Sequence, residues 1–110
     1  MARITLVYWR DIPAQVIAGA GRRAAKRVLA ERFEQAIDRA AMRVGARGSD
    51  AYLADWRRGA PYEVAAESDA AAAEAEALRI EAEYDAAALR ALVEAGGRAV
   101  GGDDGPGAAG

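Results

Sequence analysis

The densest grouping of residues able to do chemistry is Tyr8-Trp9-Arg10-Asp11-Ile12-Pro13, with Gln15 just beyond it. An arginine flanked by aromatic rings and followed by an aspartate can hold a carboxylate, a phosphate or a flat ring, through forked hydrogen bonds and cation–π contact. A second aromatic–basic group, Trp56-Arg57-Arg58, would extend that surface if folding brought the two together. The candidate binding surface is therefore Tyr8, Trp9, Arg10, Asp11, Gln15, Trp56 and Arg57. The plainer alternative makes Trp9 and Trp56 half-buried core residues and Arg10–Asp11 a surface pair, since tryptophan usually buries its ring and exposes an edge. A candidate anion site follows Gly19-Ala20-Gly21 in Arg22, Arg23, Lys26 and Arg27. Glycines before basic residues can cradle a phosphate on backbone N–H groups. The spacing matches neither a Walker loop nor a dinucleotide fingerprint, and an ordinary turn explains two glycines as well.

What is missing limits the chemistry further. The 110 residues include no histidine and no cysteine. Disulfides are excluded, zinc, haem and iron–sulfur sites lose their usual ligands, and only carboxylates remain for hard cations. No side chain titrates near neutrality without help, and thiol and Ser–His nucleophiles are absent. A catalytic reading would need Tyr8 or a perturbed carboxylate as acid or base, with Arg10 holding the substrate. Nothing singles out such a group, and the chain is read as non-catalytic, without cofactor or metal.

Charge is uneven along the chain. Through Arg58 there are twelve basic residues against six acidic ones, and from Gly59 onward three against eleven, for a net charge of −2. One reading is a basic patch for nucleic acid or another polyanion. The other is an acidic C-terminal helix lying against the basic half and screening it; direct nucleic-acid binding is the weaker expectation. The opening apolar stretch, broken by Thr5 and closed by Arg10, is too short for a signal peptide's core or a membrane span, so the expected location is cytoplasmic.

The elements that would position these groups are those of an α+β domain. Arg3–Arg10 alternates with Ile4, Leu6 and Tyr8 on one face and reads as a strand. Asp11-Ile12-Pro13 turns the chain into a second strand, Gln15–Ala18, giving an N-terminal antiparallel hairpin. Arg22–Arg27 leads into a helix from about Arg27 to Val44, with Leu29, Phe33, Ile37, Ala40, Ala41 and Val44 on its apolar face, an Arg27–Glu31 pair, and Gly45 at its end. Ser49 caps a second helix, Asp50–Arg58, closed by Gly59. Pro61-Tyr62-Glu63-Val64 reads as a third, short edge strand. Ser68-Asp69 opens one long acidic helix that Gly96-Gly97 closes. At 1.5 Å per residue it would be roughly 40 Å long, longer than the domain needs, and its first turns of Ala and Glu offer little to bury. The expected organisation is an α+β core over 1–66, with a small antiparallel sheet packed on one face by two or three helices. A long Ala/Glu-rich helix over 67–96 packs on or projects from it, and 97–110 forms a disordered tail.

Three stretches carry a resemblance: Val7-Tyr8-Trp9-Arg10-Asp11-Ile12-Pro13-Ala14-Gln15-Val16, Glu31–Met42, and Asp50-Ala51-Tyr52-Leu53-Ala54-Asp55-Trp56-Arg57. Together they resemble the small bacterial domain family labelled "virulence factor", over roughly Ala2 to Val64. That label describes a phenotype of a larger relative, in which a similar domain is joined to a Nfu-like segment and helical repeats. Those parts are not in this sequence, and virulence is not carried over. Small stand-alone alphaproteobacterial members are similar to this chain and are encoded near methylenetetrahydrofolate-reductase-like and corrinoid methyl-transfer proteins. The resemblance implies an accessory role in one-carbon metabolism with a protein partner of that kind. It supplies no catalytic residues.

Overall fold

A computed structural model describes residues 1–46 and 48–99. The architecture is α+β. The strands are β1 (Ala2–Trp9), β2 (Ile12–Ala18), β3 (Ala25–Val28), β4 (Trp56–Arg58) and β5 (Tyr62–Val64). They form one antiparallel sheet in the order β3-β2-β1-β4, with β5 also pairing with β1. The helices are α1 (Glu31–Arg43), α2 (Asp50–Ala54), α3 (Asp69–Glu83) and α4 (Ala86–Glu94). Among the described residues no helix is long and apolar enough to cross a membrane.

The N-terminal hairpin forms as its alternation predicts, but its turn lies one step earlier than expected. Arg10 and Asp11 make it, while Ile12 and Pro13 are already in β2. Arg10 sits at φ 54, in the left-handed region that costs a non-glycine residue about 1–2 kcal/mol. A bulge follows: Val7 pairs with Gln15 and Tyr8 with Pro13, leaving Ala14 as the extra residue. The carbonyl freed there accepts a hydrogen bond from Leu29 N–H at 3.0 Å.

Directly paired residues share a sheet face, and this divides the strands cleanly. Ile4, Leu6, Val16, Ala18 and Ala25 point to one side, where Ala72, Ala73, Ala77 and Ile80 of α3 bury against them. Small residues on both partners let the helix lie close, so the alanines judged to offer little burial form much of the core. The helix is also fastened at both margins of the sheet. Arg27 of β3 meets Glu74 at 2.8 Å and Glu81 at 3.2 Å, and the Tyr62 hydroxyl of β5 donates to the nearly buried Glu76, which Arg79 also holds. The Arg79 and Tyr62 hydrogen bonds pull the Glu76 carboxyl below its ordinary value, while burial and the facing carboxylate push Tyr62 up to about 12. Helix α1 packs on the bulged end of β2 and along α4, burying Phe33, Ala36, Ile37, Ala40 and Ala41.

Several expected boundaries are corrected. Ala25–Val28 is a strand rather than a helical lead-in, so Arg27 lies in β3 and faces Glu74 and Glu81 instead of Glu31. The helix starts at Glu31 and ends, as Gly45 predicts, with that glycine at φ 73 and Ala46 N–H donating to Ala41. Helix α2 stops at Ala54, and Trp56–Arg58 is a strand; Ser49 precedes it without a side-chain cap bond. Ser68 does cap α3, accepting from Ala71 N–H at 3.1 Å. The single long helix is two: the chain breaks at Tyr84-Asp85, and α4 folds back on α1. Gly96 and Gly97 are buried, and the Gly97 carbonyl accepts from Asp11 N–H at 2.8 Å, so the chain stays attached beyond α4. From residue 100 onward, the expected tail lies outside the described residues.

Candidate functional site

The hairpin tip resolves into a fixed corner with two working sides. Trp9 is fully buried, its indole N–H donating to the Tyr52 carbonyl at 2.8 Å. The Trp9 and Tyr52 rings lie 5.7 Å apart, and Tyr52 meets Trp56 edge-on at 6.0 Å, so the two tryptophans belong to one aromatic cluster. Arg10 lies over the Trp9 ring at 5.0 Å, bonds Asp55 at 2.9 Å, and donates to the Gly96 carbonyl at 2.9 Å. These contacts use its fork internally. Trp9 and Arg10 thus hold the corner together, and Arg10 pairs with Asp55 rather than with the adjacent Asp11.

On the helix-covered side, Arg57 stacks over Tyr8 at 4.4 Å, donates to the Arg10 carbonyl at 2.9 Å, and pairs with Asp11 at 3.0 Å. Asp11 also accepts from Ala99 N–H at 2.6 Å. Tyr8, Asp11 and Arg57 line a shallow groove of about 690 Å³ with Tyr84, Ala88, Ala91 and Leu92. Burial pushes the Tyr8 and Tyr84 hydroxyls up from their ordinary value. Both therefore stay protonated at neutral pH, as hydrogen-bonding groups rather than bases. The groove combines rigid aromatics, an oriented guanidinium and a small-residue helix face, a composition suited to recognition.

On the opposite side, Gln15 and Trp56 line a cavity of about 520 Å³ between the sheet, α1 and α2. The seven residues of the predicted surface are thus distributed. Tyr8, Asp11 and Arg57 face one way, Gln15 and Trp56 the other, and Trp9 and Arg10 lie between. Of the predicted anion site, Arg22 and Arg23 are exposed on a short 3-10 turn, and Arg27 is held by Glu74 and Glu81. Lys26 instead lines a hollow of about 390 Å³ with Arg3, Thr5 and Arg58. Arg3, Thr5 and Tyr84 are not among the residues the sequence singles out, and Arg58 stands out there only within the Trp56-Arg57-Arg58 group. The signal for the first two was the odd-numbered face of β1; Arg58 joins them only once Trp56–Arg58 is recognised as a strand. Among the described residues, no group of three or more carboxylates is placed to hold a metal ion.

A family model described as "Virulence factor" matches residues 7–93, which include both sides of the hairpin corner. No match is found among curated proteins or among solved structures.

Proposed function

The chain belongs to the virulence factor family, and from that premise we propose that it is a non-catalytic interaction protein that docks on an enzyme through the Tyr8–Arg57–Tyr84 groove. The observation that carries this reading is the groove's construction. Arg57 is oriented by three partners, Tyr8 and Tyr84 line the groove, and the Ala88/Ala91/Leu92 face of α4 leaves a shallow apolar floor beside them. Pre-ordered Tyr and Arg side chains around a small-residue floor give a protein contact its affinity at low entropic cost. The partner class is the one the family resemblance implies, a folate- or corrinoid-dependent methyl-transfer enzyme of the cytoplasm. The C-terminal segment serves the contact through α4, which packs along α1 and supplies the apolar floor of the groove. Affinity purification of the tagged chain from native lysate tests this. Recovery of such an enzyme with the natural chain, and its loss with Ala91→Arg while the melting temperature holds, is the expected result. Equal recovery with Ala91→Arg would remove the groove from the contact.

A second reading, a polyanion- or nucleotide-binding domain, is favoured by one observation. Arg3, Lys26 and Arg58 converge on a hollow, and none is in an ion pair among the described residues. Binding of that kind weakens steeply with added salt.

A further inference from the structure

The sheet face that α3 leaves uncovered carries two depressions of opposite character, side by side. At one end, beside Gly19-Ala20-Gly21, the hollow holds Arg3, Lys26, Arg58 and the Thr5 hydroxyl. Towards the other end, Val7, Val28, Leu29 and Ile37 contribute apolar lining to the cavity, with Tyr52 and Trp56 as its aromatic wall. Gln15, Gln35, Glu34 and Asp38 add polar acceptors to it. The two are continuous through the ladder. Val7 of the cavity pairs directly with Arg58 of the hollow, and Gln15 lies two residues from Ile17, which lines the hollow. Val7 and Arg3 are four residues apart on one strand, about 13 Å at strand rise.

We propose that this trough binds a nucleoside polyphosphate, its base in the cavity beside Trp56 and its phosphates among Arg3, Lys26 and Arg58. The inference rests on the polyanion reading and names its ligand. Charge carries it first. Most other arginines in the body of the fold are engaged: Arg10, Arg27, Arg57 and Arg79 with carboxylates, and Arg32 and Arg43 with carbonyls. Arg3, Lys26 and Arg58 have no such partners, although Glu63 stands across the ladder from Arg3. A chain of net charge −2 has carboxylates to spare, so three unengaged cations around one concavity form a site complementary to an anion. The polarity of the trough then selects the rest of the ligand. A uniformly anionic polymer would bring phosphates against Glu34, and a wholly apolar molecule would leave the cations unused. A nucleotide places negative charge at one end. At the other it offers a flat ring whose exocyclic amino group can donate to the acceptors Gln15, Gln35 and Glu34.

Titration calorimetry on the full chain at low ionic strength, with ATP, CTP, UTP, adenosine and inorganic tripolyphosphate as probes, tests the assignment. ATP and CTP are expected to bind at least tenfold more tightly than either adenosine or tripolyphosphate, and UTP, lacking the exocyclic amine, more weakly than CTP. Trp9 is buried, so an accompanying change in tryptophan emission reports on Trp56. Lys26→Glu with Arg58→Glu is expected to lower ATP and tripolyphosphate binding alike by tenfold or more. Val28 is 65% exposed at the cavity mouth, so Val28→Glu keeps the fold and should weaken ATP while sparing tripolyphosphate. Tripolyphosphate binding as tightly as ATP would overturn the nucleotide proposal and leave a plain anion site. An RNA oligonucleotide binding where no mononucleotide does would overturn it in favour of a strand-binding surface. Failure of every probe would remove both the proposal and the polyanion reading beneath it.

Discussion

Arg10 shows how misleading residue type can be when geometry is unknown. Flanked by Trp9 and Asp11, it has the composition of a ligand-binding arginine, yet its fork is spent on Asp55 and Gly96 and its face on the Trp9 ring. Those bonds hold a non-glycine residue at φ 54 and keep the hairpin turn against the chain beyond α4. The Arg10 side chain is only 18% exposed and Asp55 24%, so the pair is shielded well enough to matter. Arg10→Ala leaves Asp55 and the Gly96 carbonyl short of a partner and is expected to cost about 2–3 kcal/mol in urea unfolding. Arg10→Lys should recover less than half of that, because one ammonium cannot span both acceptors in the guanidinium's planar geometry. A loss within 0.5 kcal/mol, the ordinary range for a surface change, would make the cluster incidental. The same geometry explains why the binding surface was only partly legible. Tyr8 and Trp9 are adjacent in sequence and therefore point to opposite faces, so a compact motif on the page becomes two surfaces in space.

Among the elements, those with a strong period were legible and those defined by their neighbours were not. Strand β1 alternates cleanly, and α1 repeats Phe33, Ile37, Ala40 and Ala41 at helical spacing, so both follow from the sequence. Strand β3 is Ala-Lys-Arg-Val, four residues of which three favour helix; pairing with β2 and the pull of Glu74 and Glu81 on Arg27 override that preference. Strand β4 follows α2 with no glycine or proline between them, and only its pairing with β1 makes it a strand. The break between α3 and α4 also lacks a glycine or proline, and an alanine-rich pattern runs through it. Its local cause is Asp85, whose carboxylate accepts from Ala88 N–H at 2.8 Å and starts a new helix. Asp85→Ala is expected to cost about 1 kcal/mol in urea unfolding, with Asp85→Asn retaining most of the stability. If Asp85→Ala proves neutral or stabilising, packing of α4 on α1 alone sets the break.

For the whole molecule, the decisive fact is that the acidic C-terminal third is part of the core rather than an attachment to it. Helix α3 covers the face formed by Ile4, Val16, Ala18 and Ala25, and α4 lies along α1. Part of the charge segregated along the chain meets in this contact, where Glu74 and Glu81 pair with Arg27, and Arg32 also donates across it to the Glu81 and Tyr84 carbonyls. Cutting the chain after residue 66 therefore leaves the sheet with one apolar face open. A five-stranded sheet with two strands of only three residues cannot stand that exposure, since a small domain has little stability beyond what its single core supplies. A fragment ending at Ala66 is expected to lack a cooperative thermal transition and dispersed amide resonances, whereas a chain ending at Ala99 retains both. Adding residues 67–99 as a separate peptide should restore the transition in one-to-one ratio, because the missing surface is a single helix pair. Cooperative melting of the short fragment by itself would make α3 and α4 dispensable to the fold. The C-terminal helices would then be free to serve a partner directly, and the groove they help to wall would lose its claim to be pre-formed.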